Sequence, residues 1–236
     1  MDTPVSYHVE DGIATLRMDD GKANVMGLPM QQALNEALDR AQAEQAVVVL
    51  AGRPGMFSGG FDLAVFQGPP EPQRRMLEGG ARLAARLLAH PQPVLAQCTG
   101  HAIAMGAFVL LSSDLRIGAD EGYRIQLIEV QIGMTRPRFA VEVSRQRLAP
   151  AHLALAGVTA QPYGPAEARA AGVLDETVPA AALEVATREQ ARRLRALHPG
   201  AFRATKERLR HDTLQALHRA IEADVAEWRQ RIGGQT

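Results

Sequence analysis

The order of apolar and polar positions divides the chain into two unlike parts. Tyr7–Val9 and Ile13–Met18 are β-prone runs flanking Asp11-Gly12, a pair that favours a tight hairpin. Leu28, Ala33, Leu34, Ala37, Leu38 and Ala41 recur at the spacing of one helical face and predict a helix over 28–45. Val47–Leu50 is uniformly apolar and ends at Gly52, which suits a strand buried on both sides. Residues 74–89 read as a helix, Pro93–Gln97 as a second buried strand and 104–113 as another helix. Leu115–Ile117 and Tyr123–Leu127 read as further short strands, and Gly68–Gln73 as a loop. Past residue 140 the pattern predicts no strand. The segments 165–171, 180–197, 200–211 and 212–231 are rich in Ala, Arg, Glu and Leu at helical spacing. Strands alternating with helices imply a parallel sheet covered by helices, an α/β fold. The helical tail must pack on its own core or on a neighbouring subunit.

Composition changes this picture little but excludes several classes. The 236 residues suffice for one sizeable core or a domain with a helical appendage. Lys and Arg number 26, as do Asp and Glu, so the basic excess of a nucleic-acid binder is missing. Cys98 is the only cysteine, which rules out an intrachain disulfide and a zinc-binding cysteine cluster. The longest apolar run, Ala102–Leu111, has ten residues, against roughly 18 for a membrane span. The opening residues lack a basic, then apolar, secretory pattern. A lone thiol with no such pattern gives the expectation of a cytoplasmic protein with no membrane partner.

Candidate chemistry collects at two strand-to-helix junctions. F-S-G-G-F-D-L (57–63) follows the strand at 47–50, and G-H-A-I-A-M-G-A-F (100–108) follows the strand at 93–97. Taken alone, the first reads as an ordinary glycine-rich connection and the second as a close helix–sheet contact. Together they offer two amides without helical partners at neighbouring strand ends, where ligands of open α/β layers bind. Two such donors converging on one oxygen form an oxyanion hole, each worth about 3–4 kcal/mol in the transition state.

These segments resemble the crotonase (enoyl-CoA hydratase/isomerase) superfamily. F-S-G-G-F-D-L is similar to that family's F-x-A-G-x-D-L motif, and residues 93–114 are similar to its P-x-x-A-x-x-x-G-x-A-x-G-G-G-x-x-L-x-x-x-x-D segment. G-K-A-N-V-M (21–26), G-P-A-E-A-R-A-A-G-V-L-D-E-T-V-P (164–179) and Thr205-Lys206 extend the likeness along nearly the whole chain. The resemblance implies a stacked ββα spiral core over 1–178 and a C-terminal helical trimerisation region over 179–236. It implies an acyl-CoA thioester substrate, no cofactor beyond the coenzyme A of that substrate, no metal, and a homotrimer or dimer of trimers. The oxyanion amides fall on Phe61 and Met105, where the family usually has glycine at the second position. The Met105 side chain would narrow the pocket. Substrate contacts fall on Lys22, Ala23, Gly60, Asp62, Leu63 and Phe108. Lys22 and Arg53 could meet CoA phosphates, or stand as solvated surface cations.

Family hydratases hold and activate a water between two glutamates. The first position is Phe108 here; the second falls in I-E-V-Q-I-G (128–133), giving Glu129. An apolar ring removes one ligand for that water and dries the pocket. One carboxylate with one apolar residue resembles the delta(3)-delta(2)-enoyl-CoA isomerases, and residues 114–134 are similar to their corresponding stretch. In that reading Glu129, between Ile128 and Val130, is base and then acid, its pKa raised by an apolar surround. Alternatives are a hydratase or other crotonase lyase, and an acyl-CoA-binding protein that has lost catalysis. Arg136-Pro137-Arg138 departs from the apolar stretch of the isomerases; arginines facing the pocket would indicate a short or polar acyl group. His101 reads as a packing or surface residue, His90 as a helix-end residue, Cys98 as buried and inert, Asp114 as structural, and Trp228 as a core or subunit anchor.

Overall fold

A computed structural model describes residues 3–233, and the chain winds as a spiral of strand pairs and helices. β1 (Val5–Glu10) and β2 (Ile13–Met18) form the expected hairpin, with Asp11 and Gly12 both at positive φ. α1 (Leu28–Ala43) follows, then β3 (Val47–Ala51), β4 (Gly55–Ser58) and α2 (Pro70–Ala89). The unit repeats as β5 (Val94–Cys98), β6 (Gly100–Ile103) and α3 (Met105–Leu111), then β7 (Leu115–Ala119) and β8 (Ile125–Gln126). β1, β2, β3, β5, β7 and, last, β9 (Glu176–Val178) make one six-stranded sheet in that order, parallel except for the first pair. β4, β6 and β8 make a second, parallel, three-stranded sheet. Each turn of the chain therefore lays one strand on the large sheet and the next on the small one. The α/β spiral expected from the sequence is present.

Strand periodicity explains the layers. Val48, Leu50, Val94 and Ala96 point into the main core with Leu34 and Leu38 of α1 and Leu83 and Leu87 of α2. Val47, Val49 and Leu95 point to the other face, where Ala191 and Leu194 cover them. Those two belong to α7 (Leu183–Arg195). The short helices α4 (Arg138–Arg145), α5 (Pro150–Val158) and α6 (Pro165–Ala170) lead back to β9. Three expectations are corrected. The stretch 68–73 is mostly helix, because Pro70 and Pro72 sit in the first turn, where a missing N–H costs nothing. β9 is a strand beyond residue 140, too short to carry a period, that closes the sheet edge against β7. The segments 200–211 and 212–231 are one helix, α8 (Pro199–Gly233), because no helix breaker separates them. α8 packs on α2 and α4 of its own chain.

Candidate active site

The second sheet brings the two motif turns together. Pairing of β4 with β6, with a register shift between Met56 and Ser58, sets the turn after β4 beside the turn after β6. Gly60 takes φ +90°, and a Cβ there would lie 2.8 Å from the Ile103 carbonyl oxygen and 3.4 Å from the Met105 amide nitrogen. The Phe61 and Met105 amides make no hydrogen bond to an acceptor among the described residues. Met105 opens α3, where a first-turn amide has no helical partner. The turn into it is forced through Ala104 at φ 47°, ψ −116°, a conformation costly for any residue with a Cβ. The Phe61 ring and the Met105 sulfur both lie against Gly80 of α2. Met105 thus packs its fully buried side chain toward that helix.

The loop before α1 braces this turn from below. Buried Asn24 donates through Nδ2 to the Met18 and Phe57 carbonyls at 3.0 and 3.2 Å. Ser58 Oγ donates to the Asn24 carbonyl at 2.7 Å and accepts from the Gly60 amide at 3.2 Å. The Gly60 carbonyl accepts from the Met26 amide at 2.7 Å, and the Ala23 carbonyl accepts from the Gly59 amide at 2.7 Å. The Asp20 carboxyl is partly buried, yet hydrogen bonds from the Asn24, Val25 and Lys22 amides hold it below the ordinary range.

Glu129 reaches the same region through β8. Gln126 pairs with Ile103, and its carbonyl accepts from the Ala104 amide at 2.9 Å, so the strand ends beside the oxyanion turn. Three residues on, Glu129 begins a 3-10 turn, Glu129–Ile132, that Gly133 closes at φ +77°. Glu129 is only 6% exposed, and its Oε2 lies 3.2 Å from Nη2 of Arg136. Burial pushes the Glu129 carboxyl above its ordinary value; Arg136 pulls it back in part. Its neighbours in sequence, Val130 and Ile132, are exposed, so the protein interior rather than those side chains desolvates it. One turn beyond Met105 stands Phe108, buried, with its ring 5.9 Å from the Arg136 guanidinium carbon. Phe108 packs edge-on against Phe139 at 5.7 Å, and Phe139 against Trp228 at 6.5 Å. Position 108 is therefore an apolar wall continuous with α8.

The remaining expected residues fall in two groups. Ala23 holds Gly59, the residue before Gly60, at the first motif turn, and Asp62 follows it, its Oδ1 accepting from the Ala64 amide at 3.0 Å. Leu63 is 64% exposed, Lys22 is exposed, and the Arg53 guanidinium is tied to the Lys22 carbonyl. His101 accepts from the Arg124 amide at 3.1 Å and braces that loop. His90 is buried at the end of α2, and burial pushes the Cys98 thiol up to about 12. No metal-holding group of His, Cys, Asp or Glu occurs among the described residues, and no helix there is long and apolar enough to cross a membrane. Sequence reasoning missed Ala104, whose strain is visible only in φ, and Asn24, whose role rests on the fold of its loop. It flagged Arg136 and Arg138 together without separating them. Arg136 turns inward to Glu129, whereas Arg138 turns outward to Asp224 and Glu227.

The family model described as enoyl-CoA hydratase/isomerase matches residues 8–232. A crystal structure of an enoyl-CoA hydratase from Mycobacterium marinum is 45% identical, covers 95% of this chain and 99% of that one, and superposes with a TM-score of 0.91. An apo structure of a Mycobacterium tuberculosis enoyl-CoA isomerase is 43% identical, covers 96% and 100%, and gives 0.92. A Thermus thermophilus protein named as an enoyl-CoA hydratase is 35% identical over 54% of this chain. The chain spans about half the length of the first curated relatives it matches, 52% for that one. Hydratase and isomerase names thus stand at the same distance from this sequence, while the fold, the two motif turns and the family match agree. The chain belongs to the enoyl-CoA hydratase/isomerase family.

Proposed function

We propose that the protein shifts the double bond of a 3-enoyl-CoA to the 2-position. Glu129 takes a proton from C2, next to the thioester carbonyl. The electrons pass onto the carbonyl oxygen, and the Phe61 and Met105 amides receive the resulting negative charge. Glu129 returns its proton to C4, and the double bond closes between C2 and C3. Atoms and charge balance with no group beyond the CoA that the substrate carries. Lys22, Ala23, Gly60, Asp62 and Leu63 lie along the CoA path in this reading, and Phe108 lines the acyl side.

The observation that carries the isomerase over the hydratase is the pair Glu129 and Phe108. One buried carboxylate can move a proton between two carbons. A buried phenyl ring offers no lone pair or N–H to hold the second side of a water. Arg136 beside Glu129 favours a short or polar acyl group over a long apolar chain, because a desolvated guanidinium is a poor neighbour for methylenes. Resemblance to the superfamily supports a homotrimer or dimer of trimers as the working assembly.

The test is replacement of Glu129 by Gln, assayed with a panel of 3-enoyl-CoA chain lengths. Loss of a general base lowers the rate by about 10²–10⁴-fold, so survival within about tenfold overturns the assignment. Trans-2-enoyl-CoA given to the wild type should keep its conjugated absorbance; its bleaching would favour the hydratase.

A further inference from the structure

We propose that Arg136 is the positioning residue of Glu129, an anchored cation that keeps the carboxylate charged without occupying it. The inference rests on the isomerase reading of Glu129 and deepens it.

Arg136 is held by main-chain oxygens. Nε donates to the Gly157 carbonyl at 3.2 Å, and Nη2 donates to the carbonyls of Leu127 at 3.1 Å and Ala156 at 3.3 Å. Two of those carbonyls belong to α5; the third lies two residues before Glu129. The guanidinium is thus fixed between the end of α5 and the strand that delivers the carboxylate. Its side chain is 6% exposed.

The contact with Glu129 differs in kind. Nη2 stands 3.2 Å from Oε2, yet Oε2 accepts no hydrogen bond. The hydrogens of that nitrogen are aimed at carbonyls. A carboxylate capped by a bidentate arginine loses lone pairs and basicity. Here it receives charge stabilisation and retains them. Arg136 is the charged group acting on Glu129 among the described residues, and Phe108 of α3 closes over the guanidinium from the other side. A buried carboxylate left without a cation shifts toward its neutral form, and a neutral acid cannot abstract a proton. The direction of the Glu129 shift agrees: burial raises it, and Arg136 opposes.

The experiment compares wild type, Arg136→Met, Arg136→Lys and Glu129→Gln in the pH dependence of kcat/KM for 3-enoyl-CoA isomerisation. Arg136→Met is expected to move the acid limb upward by about one unit or more. On the acid side of the limb its rate should fall by up to about tenfold for each pH unit the limb moves, and recover as pH rises, with KM changed less than threefold. Arg136→Lys keeps the charge but cannot hold three carbonyls, and it should keep the wild-type limb. An unmoved limb in Arg136→Met, or a Lys variant as impaired as the Met variant at every pH, overturns the proposal and leaves Arg136 a structural brace. Should Arg136→Met fail to fold, the Lys variant decides by its limb, read beside a thermal melt. An active Glu129→Gln defeats the isomerase reading itself, which separates the two failures.

Discussion

A Cβ on Gly60 would sit 3.4 Å from the Met105 amide nitrogen, so the two motif turns touch through a residue that has no side chain. The same Cβ would meet the Ile103 carbonyl at 2.8 Å, and Gly60 lies at φ +90°. Gly60→Ala should shift the Phe61 amide away from the Met105 amide. Loss of one donor predicts a fall in kcat of about 10²–10³-fold, with a small change in KM. Steady-state kinetics on variant and wild type check this, with circular dichroism to confirm the fold.

Ala104 carries strain that its neighbour does not share. A residue with a Cβ at φ 47°, ψ −116° costs about 1–3 kcal/mol, and the extra unfolded-state freedom of glycine offsets about 0.5–1 of that on replacement. Ala104→Gly should therefore stabilise the protein by about 1 kcal/mol, a rise in Tm of about 2–4 °C for a chain of this size. Differential scanning calorimetry reads the outcome, and a lower Tm would contradict the strain.

On the proposed reading, Glu129 sets the acid limb of activity. The base must be ionised, burial raises its carboxyl above the ordinary 4.5, and Arg136 only partly reverses this. Activity should therefore be present at neutral pH and fall as pH drops through a value above 4.5. A kcat/KM profile that stays flat to pH 4.5 would show that another group takes the proton.

Asp114 joins three elements. It accepts from the Val94 amide at 2.8 Å, from Lys206 Nζ at 2.7 Å and from Arg210 Nη2 at 2.9 Å. Burial pushes the Lys206 ammonium down to about 8, against the pull of Asp114. Asp114→Asn leaves two shielded cations without their counter-charge, a change that costs about 3–5 kcal/mol for a buried pair. Urea unfolding should show the loss. An unchanged midpoint would mean that solvent reaches the cluster freely.

Much of this was legible in the residues. The hairpin, α1, the parallel strands and both motif turns announce themselves through Asp11-Gly12, the 28–41 stripe, Val47–Leu50 and the paired glycines. β4 and β6 escaped notice because each is four residues long and rich in small residues, without the alternation that marks a half-buried strand. β9 hid for the same reason among helices. The carboxylate at 129 and the phenyl ring at 108 are readable directly, since residue identity carries them. The Arg136 contact was not. Whether Arg136 or Arg138 turns inward depends on the path of Met134–Pro137 and on carbonyls of α5, some 20 residues further along.

The length of α8 has a further consequence. Asp224 accepts from the Arg138 and Phe139 amides at 3.0 and 2.8 Å, tethering the start of α4, and Trp228 backs the ring of Phe139. The far end of α8 thus acts as a keystone for packing laid down some 85 residues earlier. A chain that stopped ahead of Asp224 would keep every reacting group yet admit solvent behind Phe139. On the proposed reading, water would then compete by adding across the conjugated 2-enoyl product.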